Sequence, residues 1–350
     1  MFKLLTSSSN INNKVMELTY FIGVDVSKND LDFAVMQNKA FLFHHRISNS
    51  PASIVSLLKE LVQLPGFSLK QAVFCMEHTG IYSNHLLGVL FKKQCSVCLE
   101  AALHIRNSLG NIRGKSDKID AIRIAEYAYK NREQLRLWQP KREVISRLAQ
   151  LSATRSRLIE AQKVLTVPIK ESREFISQGL VKANTAVCQS TLKALKEDLI
   201  KVDKAIQDII TLDPELSRLF ALITSVDGIG KATATQIIIT TNEFKTINNP
   251  SKFACYAGVV PFSKESGLFK GRPRVSHLAN KKMKTLLHLA ALSAIRYNDD
   301  MRAYYGRKVT LENKNKMSAI NAVRNKLIHR IFACVNNNRT YEKNYQKLVA

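Results

Sequence analysis

Apolar and polar positions follow two rhythms along this chain. From Tyr20 to about residue 140, apolar residues come in short runs broken by polar turns, as in strands alternating with helices. YFIGVDVS, LDFAVM and FLFHHRI follow one another closely and predict three antiparallel neighbouring strands. Pro51 opens a helix with Ile54, Leu57, Leu58 and Leu61 on one face. QAVFCME reads as a buried strand ending on Glu77, residues 81–92 as a helix, and SVCLE as a further strand. The next helix begins near Asp117, with Ser116 as its N-cap.

Three strands followed by helix–strand–helix–strand–helix is the order of an RNase H-like fold. Beyond residue 140 the rhythm changes. Residues 141–213 carry almost no strand pattern. Val144, Leu148, Leu151, Leu158 and Leu165 predict a helix with a kink at Pro168. Cys188, Leu192, Leu195, Leu199, Val202, Ile206 and Ile209 recur in alternating steps of four and three, a heptad seam. Such a seam fits an antiparallel helical hairpin, a coiled coil between chains, or a helix packed on its own domain. Pro214 starts a third, mostly helical region with short helices around a Gly228-x-Gly230 turn, a short helix near 250–256, a loop from Gly258 to Val275, and long helices over about 279–297 and 316–335. The fold class expected is therefore α/β plus α, divided as a disordered tail (1–19), an α/β domain (20–140), a helical coiled-coil segment (141–213), a helical C-terminal domain (214–335) and a basic tail (336–350).

Charge narrows the function. Lys and Arg number 53 against 28 Asp and Glu, a net +25. That excess points to a polyanion, most simply nucleic acid. No stretch reaches the length of a membrane span, and the N-terminal apolar run is too short for a signal peptide, so the expected location is the cytoplasm of the producing cell, with access to DNA. Met16, just before the first strand, is a candidate start residue. Cys95 and Cys98 form a lone C-x-x-C inside a strand pattern and read as reduced core residues rather than zinc ligands.

Within this frame a few residues carry candidate chemistry. In GNIRGKSDKIDAIRIA (110–125), Asp117 and Asp120 stand three apart at a helix start, on one face. Helix capping alone would suit them. Asp25, however, interrupts an apolar strand, where a carboxylate is costly unless paired or bound to a cation, and Glu77 ends another strand, where α/β sheets place ligands. Four acids from two strands and one helix are able to gather two hard cations, Mg²⁺ or alternatively Mn²⁺, spaced about 3.5–4 Å apart for phosphodiester displacement. Asp30 and Asp32 compete and read as solvated turn and strand residues. The Gly228–Gly230 turn followed by Lys231 suggests a helix-hairpin-helix-like grip on a phosphate backbone, against a plain helical connection. The stretch from Tyr256 to Lys284 holds Lys264, Lys270, Arg272, Arg274, Lys281 and Lys282 with Glu265 as its acid. It reads either as a basic DNA-contacting loop or as the setting for a nucleophilic Ser266.

These motifs, in order, resemble the DEDD insertion-sequence transposases, also described as bridge-RNA-guided recombinases, over about residues 20–335. FIGVDVSK (21–28), CMEHTG (75–80) and KSDKIDA (115–121) match the family's RuvC-like domain and carry Asp25, Glu77, Asp117 and Asp120. FACYAGVVP (253–261), ESG (265–267) and GRPRVS (271–276) match its C-terminal transposase domain, with Ser266 at the position of the family's serine nucleophile. Small departures occur at Val259–Val260, Pro273 and His277, none of them a proposed catalytic residue. The resemblance implies a tetrameric recombinase, a dimer of dimers, in which the acids of one protomer meet the serine of another. It also implies donor and target DNA as substrates and a noncoding bridge RNA as guide. The rivals are a stand-alone RNase H-like nuclease or junction resolvase using the acids alone, and a non-enzymatic nucleic-acid-binding protein.

Overall fold

The structure, a computed structural model, describes residues 18–108, 114, 116–267, 269–276 and 278–343. The N-terminal tail with Met16, most of the basic stretch before Ser116, His277 and the end of the C-terminal tail lie outside the described residues. Two compact units result, Met1–Pro140 and Lys141–Ala350.

The first unit is built on a five-stranded sheet. Its strands are β1 (Tyr20–Val26), β2 (Asp30–Gln37), β3 (Ala40–Ser48), β4 (Ala72–Glu77) and β5 (Ser96–Glu100), in the order β3-β2-β1-β4-β5. The first three pair antiparallel, and β4 and β5 run parallel to β1. The helices are α1 (Pro51–Val62), α2 (Asn84–Lys92), α3 (Ala102–Ser108) and α4 (Asp117–Lys130). Alternation sorts the strand residues. Ile22, Val24, Phe74 and Met76 pack with Leu57 and Leu61 of α1 and Leu86 and Leu90 of α2. Phe21, Ala34, Val73, Cys75 and Cys98 pack instead with Ala121, Ile124 and Ala125 of α4. Helices on both faces explain why these strands read as unbroken apolar runs. Helix α3 was absent from the sequence reading, which passed from the last strand directly to the helix at Asp117. All six cysteines are free thiols, with Cys98 buried and Cys95 half-buried.

The second unit contains α5 (Glu143–Phe175), α6 (Gln178–Leu212), α7 (Pro214–Thr224), α8 (Lys231–Thr241), α9 (Pro250–Tyr256), the strands β6 (Pro261–Ser266) and β7 (Phe269–Val275), α10 (Lys281–Tyr297), α11 (Asp299–Thr310) and α12 (Lys316–Asn336). Helices α5 and α6, joined by Ile176 and Ser177 alone, pack along one another as an antiparallel pair. Arg155 meets Asp203 across them at 2.6 Å. The seam residues from Cys188 to Val202 are half-buried, and Ile206 and Ile209 are buried in the core shared with α7, α8, α10 and α12. Helix α5 runs unbroken through Pro168.

Asp or Asn residues start most of the later helices. Asp213, Asn249, Asn280, Asn298 and Asn315 each accept a backbone N–H from the first turn of α7, α9, α10, α11 and α12. Helix α11 was missed in the sequence, although Asn298 followed by Asp299 and Asp300 is a helix-start signal. The expected loop from Gly258 to Val275 is corrected to a β-hairpin. Pro261 pairs with Val275 and Ser266 with Phe269, and Gly267, with φ of +55°, supplies the left-handed turn. Glycine and proline there mark a turn and an edge strand rather than irregular chain.

Candidate active site

The sheet face under α4 is apolar in its middle and acidic at one end. Counting in steps of two from the residues packed on α4, Phe21 and Gly23 lead to Asp25, Val73 and Cys75 to Glu77, and Cys98 to Glu100. Because β1, β4 and β5 are parallel, those carboxylates share one edge. Asp32 joins them from the antiparallel neighbour, directly opposite Asp25.

Gly23 sets how close the helix comes. A Cβ there would lie 2.1 Å from the carbonyl oxygen of Ala121 and 2.3 Å from the backbone nitrogen of Ala125. The bare glycine lets the backbone of α4 rest on β1, which brings its first turn over Asp25. Ser116 accepts the N–H of Ile119 at 3.3 Å and starts the helix where Asp117 and Asp120 both project from that turn. Asp25, Glu77, Asp117 and Asp120 line one cavity of about 560 Å³, together with Arg106 and Arg123.

The electrostatics are those of crowded like charges. Burial, followed by the charges of Asp117, Asp120, Glu77 and Asp32, pushes the Asp25 carboxyl up to about 6. Burial and then Asp120 raise that of Glu77. Arginines hold part of the set. Arg123 donates to Asp120 at 2.8 Å, and Arg46 on β3 lies 2.8 Å from Asp30 and 3.9 Å from both Asp32 and Asp117.

Asp32 corrects the sequence reading. It is 4% exposed rather than solvated, and lies 2.8 Å from His44. Its alternation with Ala34 and Met36 on the α4 face was the available signal. Glu100 was also missed. Burial acts to raise its pKa, but N–H of Ala101, His104 and the Tyr127 hydroxyl outweigh that and hold it below the usual range. A carboxylate so fully engaged orients its neighbours rather than standing open.

The donor set is oxygen-only and suits a hard cation. Among the described residues, no three Asp, Glu, His or Cys side chains converge tightly enough to hold an ion by themselves. Mg²⁺ is compatible with that spacing, since it commonly keeps several waters and takes one or two carboxylates plus substrate phosphate. Asp25, Glu77, Asp117 and Asp120 are the residues that would hold it.

The remaining expected residues lie in the second unit. Ser266 is exposed at the end of β6, at the tip of the hairpin. Lys264 pairs in register with Gly271 and Glu265 with Lys270, and Arg272 and Arg274 are exposed on β7. Gly228, with φ of +90°, packs against α10, where a Cβ would meet the Ala290 carbonyl oxygen at 2.6 Å. Helix packing accounts for that glycine without any ligand. Gly230 is exposed as the N-cap of α8. Lys231 and Lys282, at the starts of α8 and α10, line one groove with Arg155, Lys163 and Lys204, and Lys282 donates to Ser152 at 3.2 Å. Lys281 is exposed beside it.

Comparison with known proteins fits this arrangement. A family model described as "Transposase" matches residues 22–170, and one described as "Transposase IS116/IS110/IS902 family" matches residues 220–306, together more than half of the chain. The chain belongs to this transposase family. It is thus a DNA transposase/recombinase. Similar proteins include the "Pilin gene-inverting protein" of Moraxella lacunata and that of Moraxella bovis, each 25% identical over 94% of this chain and 99% of the relative. An "Insertion element IS110 uncharacterized 43.6 kDa protein" of Streptomyces coelicolor is 24% identical over 44% of this transposase and 36% of its own length. Among solved structures, T. thermophilus RuvC in complex with a Holliday junction substrate matches 34% of this chain and 99% of its own, at 13% identity and a TM-score of 0.27. No helix among the described residues is long and apolar enough to cross a membrane.

Proposed function

We propose that this transposase cuts and rejoins donor and target DNA with the carboxylates of an RNase H/RuvC-like domain and a serine nucleophile, Ser266, guided by a noncoding bridge RNA. The observation that carries the reading is the gathering of Asp25, Glu77, Asp117 and Asp120 around one cavity. Their mutual repulsion stores a demand for positive charge that a divalent cation answers. Mg²⁺, or Mn²⁺ in its place, would supply Lewis-acid stabilisation of charge on the phosphate oxygens. Asp25 and Asp120 contribute the negative charge that holds it, and Arg123 keeps Asp120 oriented.

Ser266 attacks the phosphorus through its hydroxyl oxygen. The Ser–O–P bond forms as the strand's own P–O bond breaks. The serine proton is released and the departing strand oxygen takes one up, leaving a hydroxyl. Reversal by another strand's hydroxyl restores the serine and reseals DNA without an external energy source, because one phosphoester replaces another. Gly267, flexible in φ and without a side chain, leaves the hydroxyl open to a bulky substrate. Arg272 and Arg274 neutralise neighbouring phosphates, and Lys231, Lys281 and Lys282, with Gly230 in a helix-hairpin-helix-like turn, grip the backbone. The name of the Moraxella relatives, gene-inverting, supports breakage with rejoining over cutting alone. The working form is a homo-oligomer, a tetramer.

The test follows end-labelled DNA on denaturing gels with Mg²⁺ and RNA transcribed from the element's flank. Asp120→Asn and Ser266→Ala are each expected to bind nucleic acid and recombine nothing, and Ser266→Ala to form no covalent protein–DNA adduct. Cleavage by Ser266→Ala at the wild-type rate, with no protein-linked label in either protein, would make water the nucleophile and overturn the serine assignment.

A further inference from the structure

At the foot of the β6–β7 hairpin, where Pro261 pairs with Val275, a second cavity of about 900 Å³ opens toward α12. Its cations are Arg274, Lys284, Lys308, Lys314 and Arg324, and no carboxylate is among the described residues that line it. Lys308 is paired with Glu312 at 2.7 Å. Arg324 is the unusual member. It is 4% exposed, yet its partners are neutral acceptors. One terminal nitrogen meets Nδ1 of His288, and the other donates to Oδ1 of Asn321 at 3.3 Å. Its Nε–H has no partner. Burial, and then the Arg324 charge, hold His288 below its usual pKa, so the imidazole accepts as a neutral ring.

A guanidinium stays charged at any working pH. Burying one without an anion is costly, and a buried donor left unpaired adds to the cost. The charge of Arg324, held without an anion and with the Nε–H unpaired, favours a phosphate oxygen nearby. The cavity walls add Val260, Pro261, Pro273 and Met317, apolar surfaces that lower the local dielectric and strengthen such a contact. Four further cations around a space of this size suit a chain of phosphates rather than a single small carboxylate.

We infer that the cavity between the hairpin foot and α12 is a phosphodiester-binding site, in which Arg324, Lys284, Lys314 and Arg274 hold the backbone of a nucleic-acid strand. The inference rests on reading this chain as a nucleic-acid enzyme, and it adds a buried anchor in the unit that carries Ser266. Arg324 is a positioning residue, not a catalytic one.

Fluorescence anisotropy of the full chain with labelled duplex DNA and with single-stranded RNA of mixed sequence, each over a salt series, tests it. Arg324→Met and the exposed Lys314→Gln are each expected to weaken binding about tenfold and to lower the slope of log affinity against log salt by about one. Thermal unfolding of Arg324→Met without nucleic acid is expected at or above the wild-type midpoint, since an apolar side chain relieves a buried charge. Inorganic phosphate should raise the wild-type midpoint and leave that of Arg324→Met in place. A loss with DNA alone assigns the site to a DNA strand, with RNA alone to the guide, and with both to their shared backbone. Unchanged slopes for both variants with both probes would overturn the inference, as would a lowered midpoint in Arg324→Met with unaltered binding. If Arg324→Met fails to fold, the slope of Lys314→Gln and the phosphate shift of the wild type decide. Ser266→Ala serves as the control. Adduct formation by that variant would remove the serine reading while leaving the slopes to judge this site.

Discussion

Replacing Asp25 by Asn should separate catalysis from stability in opposite directions. Asp25 sits in β1 with burial and four carboxylates acting on it, and its pKa stands at about 6 against an ordinary 3.8. A shift of that size corresponds to roughly 3 kcal/mol at about 1.4 kcal/mol per unit. The cavity is open to water on one side, so solvent screening reduces this to about 1–2 kcal/mol. The sign follows from which state binds the proton better. The folded state does, so the ionised carboxyl destabilises the fold above pH 6, and the penalty fades as pH falls from about 6 toward 3.8. Asp25→Asn removes it. In EDTA at pH 7.5 the variant should therefore melt about 3–6 °C above wild type. The difference should shrink by pH 4.5, where Asp25 is protonated. Added Mg²⁺ should raise the wild-type midpoint more than the variant's, and DNA cleavage by the variant should be lost. Circular dichroism melts across pH, with and without Mg²⁺, give all of these. A variant that melts at or below wild type at pH 7.5, or a gain that persists unchanged at pH 4.5, would refute the electrostatic account of the site.

Gly23→Ala should destabilise the first unit by about 3 kcal/mol, because its Cβ would meet backbone atoms of α4 at 2.1 Å and 2.3 Å; urea unfolding with an unchanged midpoint would contradict the close packing. Arg142 bridges Asp213 at 2.7 Å and Glu243, whose side chain is fully buried, so Arg142→Ala should lose about 3–5 kcal/mol by stranding that carboxylate; a loss under about 1 kcal/mol on the same assay would show that Lys245 suffices as partner. Leu180 and Val187 on α6 are 65% and 79% exposed apolar residues, and if the tetramer uses this face of α6, Leu180→Asp with Val187→Asp should leave the melting point alone while light scattering reports a smaller oligomer; an unchanged mass would place the contact between copies on another surface.

Much of this protein was legible in its sequence because the signals were local. The alternation of β1 and β4 marked Asp25 and Glu77 as acids where apolar residues belong, and Ser116 with Asp117 and Asp120 announced a helix start with two carboxylates on one face. Those patterns follow from backbone geometry, which each short segment carries by itself. The heptad spacing of α6 likewise marked a helix with one apolar seam, and only packing made α5 its partner within the same chain. Tertiary structure decided what depends on residues far apart. Asp32 read as a solvated strand residue until pairing placed it opposite Asp25, within reach of His44 and Arg46. Gly228 read as a phosphate-binding glycine, and only folding showed that its close approach to α10 requires a glycine there in any case. The hairpin carrying Ser266 emerged because Pro261 found Val275, a pairing across a turn that few apolar residues advertise. Arg324, one of 53 basic residues, became distinctive only when folding surrounded it with neutral partners and left one N–H unpaired. Burial and charge environment are properties of the assembled core, and the sequence holds them only through contacts that folding makes.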